Sequence, residues 1–307
     1  MPKMNIARSI LIGVPAEKVY AILRDFNQWR PWSPWLITEP EAKMTIAEDG
    51  KSYEWVGHRT GSGNMNLLDE STNEFLSMQL NFLKPWKSTA KIRFELKAEG
   101  DDTKVTWFMD SSLPFFMFWM TKMMTGLISM DYDRGLSMLK EYVEKGSVTS
   151  KLDFKGESNF DGCQYVGIKV SCEIDKMGEQ MRSDFGKMKE FLDANQTVEP
   201  GIAFSIYHKW DPAKGRVEYT GGFAVKNMPD SLPEGFVSGS IPATKVYTLS
   251  HVGPYGYLGN AWSTLYAMHR AKEFKPKKNI HPFEVYVNDP QEVAEKELVV
   301  DIHFAVK

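Results

Sequence analysis

The chain has 307 residues, 42% hydrophobic and 25% charged, a balance that fits a folded globular protein and excludes a disordered or collagen-like one. That length leads us to expect two domains. A net charge of −3 without a long basic run argues against a nucleic-acid surface, so no nucleic-acid partner is expected.

The opening Met1-Pro-Lys-Met-Asn-Ile has no sustained apolar stretch, so no signal peptide is expected and a reduced cytoplasmic setting fits. Residues 5–12 alternate as a strand. Pro15 then suits a first helical turn, and Val19, Ile22 and Leu23 share a face. After Trp29, Trp32 and Trp35, which read as rim packing, come strand-like runs at 43–47, 51–56, 63–69, 74–83, 89–98 and 103–110. Glycines at 50, 61, 63 and 100 punctuate them. Leu113–Met120 is very apolar, but Pro114 and Lys122 interrupt it and it falls short of the ~20 residues of a bilayer span. It reads as the entry to a buried helix or as a pocket lid, with membrane contact a minor alternative. A helix over about 129–145 follows, with Gly146 in the position of a helix C′ residue.

This order of elements predicts an α+β domain over 1–146, an antiparallel sheet curled around a long final helix. It resembles the START-like (SRPBCC) superfamily of polyketide cyclases, dehydrases and lipid-transport proteins. The resemblance is carried by Val14-Pro-Ala-Glu-Lys-Val-Tyr20, Asp25-Phe-Asn-Gln-Trp29 to Trp35, Thr103-Lys-Val-Thr-Trp107 and Gly135-Leu-Ser-Met-Leu-Lys140. It implies a helix-grip fold that holds apolar ligands between sheet and helix, and says little about chemistry.

Residues 147–158 are polar and small enough for a linker, and a second domain is expected over 159–307. Cys163 and Cys172 lie nine residues apart on one predicted strand. They should therefore face opposite ways, which leaves neither a disulfide nor a two-cysteine metal site. The segment contains a duplication, with repeats at about 159–230 and 240–307. Phe204-Ser-Ile-Tyr207 reappears as Phe283-Glu-Val-Tyr286, and Phe223-Ala-Val-Lys226 as Phe304-Ala-Val-Lys307. Each copy reads strand, helix, strand, strand (β-α-β-β), so the pair should be related by a pseudo-twofold axis. In the first helix Met177, Met181, Phe185, Met188 and Leu192 form one apolar stripe.

Ser205 in the first copy becomes Glu284 in the second, between apolar neighbours on a predicted strand. Strand alternation turns Glu284 and Tyr286 to one side and Phe283, Val285 and Val287 to the other. Ser205 and Tyr207 fall on the equivalent side of the first copy. A carboxylate there costs stability unless something uses it.

His251-Val-Gly253-Pro254-Tyr255, Trp262, Tyr266 and Pro282-Phe-Glu284-Val-Tyr286-Val-Asn-Asp-Pro290 together resemble the GyrI-like family of effector-binding domains. The resemblance implies that Glu284 forms the floor of an aromatic pocket, with Tyr286, Tyr207, Tyr255 and Trp262 as walls.

Three functions stay open at this point. The first is binding of a hydrophobic small molecule, planar and cationic in its sharpest form. The second is a hydrolase of the cyclopropane-ring-opening type known among GyrI-like proteins, with Glu284 as general base and Tyr286 as proton donor or positioning group. The third is a protein-interaction module. Glu284 could also be paired to a lysine or arginine with no ligand. No cofactor and no metal are expected, because the six histidines lack ligand spacing. Lone histidines such as His251 and His281 read as structural.

Overall fold

A computed structural model describes residues 2–195 and 198–307. The chain divides into two compact units, Met1–Thr149 with Tyr266–Ala271 and Ser150–Leu265 with Lys272–Lys307. Both are α+β. Among the described residues no helix is long and apolar enough to cross a membrane.

The first unit is a seven-stranded antiparallel sheet in the order β1-β7-β6-β5-β4-β3-β2. Its strands are β1 (Lys3–Ile12), β2 (Lys43–Ile46), β3 (Ser52–Val56), β4 (Ser62–Ser71), β5 (Phe75–Lys84), β6 (Ser88–Glu99) and β7 (Asp102–Ser112), with helix α1 (Ala16–Arg24) after β1. Helix α2 (Thr121–Lys145) ends as expected on Gly146, whose φ of 78° is the left-handed conformation that glycine adopts without strain. Alternate residues of the central strands face the core: Ile92, Phe94 and Leu96 on β6, and Val105, Trp107 and Met109 on β7. α2 lays Tyr132, Leu136 and Leu139 against that face.

The core is a column of aromatic rings. Trp107 stacks on Tyr132 at 4.0 Å and on Phe94 at 4.8 Å, and Trp32 meets Trp107 edge-on at 5.9 Å. Trp29 and Trp32 are fully packed inside, deeper than the rim expected of them, whereas Trp35 keeps one edge in solvent. Trp29 Nε1 donates to Leu23 O at 2.9 Å, but among the described residues Trp32 Nε1, Trp107 Nε1 and the Tyr132 hydroxyl have no hydrogen-bond partner.

Leu113–Met120 departs in part from expectation. It does lead straight into α2, whose later turns are buried, but Phe115–Trp119 is itself uncovered and forms no packed lid. Phe115–Met120 is a 3-10 turn with four aromatic side chains in solvent, and α2 begins only afterwards.

The second unit is an eight-stranded antiparallel sheet, β12-β9-β11-β10-β14-β15-β13-β8. Its strands are β8 (Lys151–Phe160), β9 (Cys163–Glu173), β10 (Pro200–Asp211), β11 (Arg216–Val225), β12 (Phe236–Ile241), β13 (Thr244–Val252), β14 (Phe283–Tyr286) and β15 (Val299–Ala305). Helices α3 (Met177–Ala194) and α4 (Gly259–Arg270) follow β9 and β13. Residues 151–158, expected in the linker, are instead most of β8. Most of its side chains stand in solvent, and it is held by backbone pairing with β13, by ion pairs of Lys155 with Asp301 and Glu157 with Lys245, and by Phe160 packing edge-on against Phe283. Each copy therefore begins one strand earlier than expected, and these first strands are exchanged: β8 joins β13 of the second copy, and β12 joins β9 of the first.

The two halves meet where β10 pairs with β14, with Ser205 directly opposite Glu284, Phe204 opposite Val285 and Ile206 opposite Phe283. Positions equivalent by duplication thus face each other, and the pseudo-twofold axis runs through the Ser205–Glu284 pair. One side of the junction is apolar, with Phe204, Ile206, Phe283 and Val285 packed on Ile241 and Val246. The other side holds the acid.

Candidate functional site

Directly paired antiparallel residues point to the same face, so one row across the sheet reads Ile168, Gly221, Ser205, Glu284, Ile302 and Leu249. The two halves of this row differ in volume. Gly221 and Ser205 on the first-copy side answer Ile302 and Glu284 on the second. A side chain at Gly221 would meet the Phe185 ring of α3, 3.3 Å from where its Cβ would sit. Phe185 in turn meets Phe223 and Tyr286 edge-on at 5.7 and 5.5 Å.

Glu284 is 1% exposed and accepts three hydrogen bonds. Trp262 Nε1 on α4 donates to Oε1 at 2.5 Å, while Oε2 accepts from the Tyr207 hydroxyl at 3.0 Å and the Tyr286 hydroxyl at 3.1 Å. The Tyr286 oxygen also lies 3.0 Å from Ser205 Oγ. With the tyrosine proton committed to the carboxylate, the serine is the donor of that pair. Tyr207 meets Trp262 edge-on at 5.1 Å, and Trp262 meets Phe304 at 5.7 Å. Tyr255 stands one ring further out, 5.9 Å from Tyr286 and 39% exposed. The structure therefore gathers Glu284, Tyr286, Tyr207 and Trp262 around one carboxylate. Tyr255 touches them through the Tyr286 ring, and burial together with the nearby Glu284 raises its hydroxyl above the ordinary value.

The electrostatics of this cluster are uncompensated. Burial pushes the Glu284 carboxyl up to about 7, against the hydrogen bonds from Trp262, Tyr207 and Tyr286, which pull it down. Burial and the nearby acid in turn drive the Tyr207 and Tyr286 hydroxyls well above their ordinary value. All three donors to the carboxylate are neutral, and none is a lysine or arginine.

Two neighbours escaped the sequence reading. Phe185 lay in an apolar helix stripe with nothing to separate a wall residue from core. Asp184, beside it, is a second buried carboxylate, accepting from Tyr219 at 2.8 Å and Gln180 at 2.9 Å. Its signal was a charge one step from that stripe. His251 is a buried structural group whose Nε2 lies 3.0 Å from Ser150 Oγ, and burial pushes its ring down to about 4. Among the described residues no cluster of His, Cys, Asp or Glu is placed to hold a metal ion.

The family described as polyketide cyclase / dehydrase and lipid transport matches residues 3–144, and the GyrI-like small molecule binding domain matches residues 160–307. The chain is a fusion of these two domain families. No curated protein matches it. Similar solved structures include an EcmrR–DNA complex seen by cryo-electron microscopy in EcmrR-RPo, 16% identical, covering 61% of this chain and 68% of that one at a TM-score of 0.44. The EcmrR C-terminal domain is 18% identical over 52% of this chain and 98% of its own, at a TM-score of 0.41. CalU16 from Micromonospora echinospora is 16% identical over 47% of this chain and 75% of its own, at a TM-score of 0.34. Both domains of the fusion are of small-molecule-binding families.

Proposed function

We propose that the GyrI-like unit binds a planar, hydrophobic organic cation, with Glu284 as counter-ion and Tyr207, Tyr286, Trp262 and Tyr255 as aromatic walls. The observation that carries this reading is a buried carboxylate held only by neutral donors. Such a charge is costly until an opposite one arrives. Flat aromatic faces add cation–π attraction, worth about 1–2 kcal/mol once water is displaced.

The test is thermal denaturation with a planar cationic dye and with a neutral isostere of the same size. The cation should raise the unfolding temperature of the wild type more than the isostere does, and Glu284→Gln should remove the difference. Equal stabilisation by both compounds, or a cation effect unchanged in Glu284→Gln, would contradict the proposal.

A second reading rests on the carboxyl value near 7, which suits a general base. In that reading Glu284 takes a proton from water and Tyr286 orients the substrate. Turnover of a strained-ring or ester substrate that disappears in Glu284→Gln would favour it over simple binding.

A further inference from the structure

The first unit carries a surface unrelated to the Glu284 cluster. Phe115–Met120 forms a 3-10 turn, in which residues three apart lie above one another. Met117 and Met120 take the inward side. The other two sides are aromatic and bare: Phe115 is 77% exposed, Phe116 75%, Phe118 61% and Trp119 68%. Phe115 and Phe118 lie along one of those sides with their rings tilted and 6.2 Å apart.

A second exposed turn lies at the same end of the sheet. Phe82 pairs with Ser88 and Ala90 with Ser111, so the β5–β6 turn and the exit of β7 are neighbours. That turn contributes Leu83, 48% exposed, and Trp86, 56% exposed. Water-facing aromatics on two adjacent turns exceed the scattered apolar residues of an ordinary surface.

Charge decides among the occupants. Lys84, Lys87 and Lys122 flank the aromatics and are exposed, while no aspartate or glutamate occurs in 83–91 or 111–130. The nearest acid along β7, Asp110, lies opposite Lys91. A positive rim in a chain of net charge −3 is a local arrangement, not a consequence of composition. A second copy docking here about a twofold axis would bring the two lysine sets together, which opposes self-association. Phenylalanine and tryptophan tips ringed by lysine instead match an anionic bilayer surface. There the rings enter the headgroup and acyl boundary and the ammonium groups stay with the lipid phosphates.

We propose that the aromatic turns at 83–87 and 115–119 dock the protein reversibly on anionic lipid membranes, with Phe115, Phe116, Phe118, Trp119 and Trp86 inserting and Lys84, Lys87 and Lys122 holding the headgroups. The full chain should co-sediment with vesicles of phosphatidylcholine and phosphatidylserine in a 7:3 ratio, and more weakly with pure phosphatidylcholine. Raised salt should weaken the first binding more than the second. Phe118→Ser combined with Trp119→Ser should lower partitioning at least about 10-fold. Each lysine-to-glutamine change should lower it roughly fivefold on the anionic vesicles alone. All these side chains are exposed, so the variants should keep the wild-type unfolding temperature. Absence of co-sedimentation at millimolar lipid would overturn the proposal, as would undiminished binding of the folded double variant. A dimer at micromolar protein that the double variant dissolves would assign the patch to self-association instead and equally overturn it.

Discussion

Replacing Glu284 with glutamine should make the protein more stable at pH 8 while changing little at pH 4. The variant keeps the size of the side chain and an acceptor for Trp262 Nε1, but removes the buried charge. In the wild type the carboxyl rises from 4.5 when unfolded to about 7 in the fold. The folded state therefore holds its proton more tightly. The stability this contributes is complete below pH 4.5 and is lost as pH rises through about 7. The shift corresponds to about 3 kcal/mol between those limits, at about 1.4 kcal/mol for each pH unit. Denaturant titration of both proteins at pH 4, 6 and 8, followed by a probe in the second unit, should show their stabilities diverging by up to about 3 kcal/mol in favour of the variant. Other titrating groups cancel in the difference. Parallel pH profiles would refute the reasoning, because they would mean that three neutral donors fully compensate for desolvation.

Other outcomes follow from the same contacts. Trp262→Phe keeps an aromatic ring but removes the donor to Oε1, so the Glu284 carboxyl should titrate above its wild-type value, as read by carbon-13 resonances of labelled glutamate. Tyr132→Phe deletes a buried hydroxyl that has no partner and should stabilise the first unit by about 1 kcal/mol in thermal unfolding. Gly222→Ala would place a Cβ 2.6 Å from Val166 O and 2.9 Å from the Phe204 ring, and should cost about 1–3 kcal/mol by denaturant titration. Gly221→Ala meets only the edge of Phe185 at 3.3 Å and should be tolerated better.

Much of the fold was legible because burial leaves periodic traces. Strands with one covered face alternate, and the stripe from Met177 to Leu192 marks α3 within a residue or two of its ends. The duplication carried further information. An offset of 79 residues between Phe204 and Phe283 is the equivalence that places Ser205 opposite Glu284 across the junction. Alternation then put Tyr207 and Tyr286 on the acid's face.

What failed to show was structure held mainly by backbone pairing. β8 pairs along one edge with most of its side chains in water, so all but its last residue, Phe160, has the composition of a linker. It even contains a bulge at Gly156, where φ is 75°. The opposite error occurred at Phe115–Trp119, where an apolar run suggested burial. Composition reports what a segment contains, and only the surrounding sheet ends determine whether anything covers it. The family resemblance named Trp262 as a wall beside Glu284, but strand alternation alone could not give its hydrogen bond to the carboxylate, which depends on how α4 is rotated over β14.

The most direct measurement is the dissociation constant of a planar organic cation as a function of pH, taken by calorimetry on the wild type and Glu284→Gln. Binding through an ionised Glu284 that titrates near 7 should tighten roughly tenfold between pH 6 and 8 in the wild type and stay flat in the variant. Affinity independent of pH in the wild type, or equally strong in Glu284→Gln, would contradict a site built around that carboxylate.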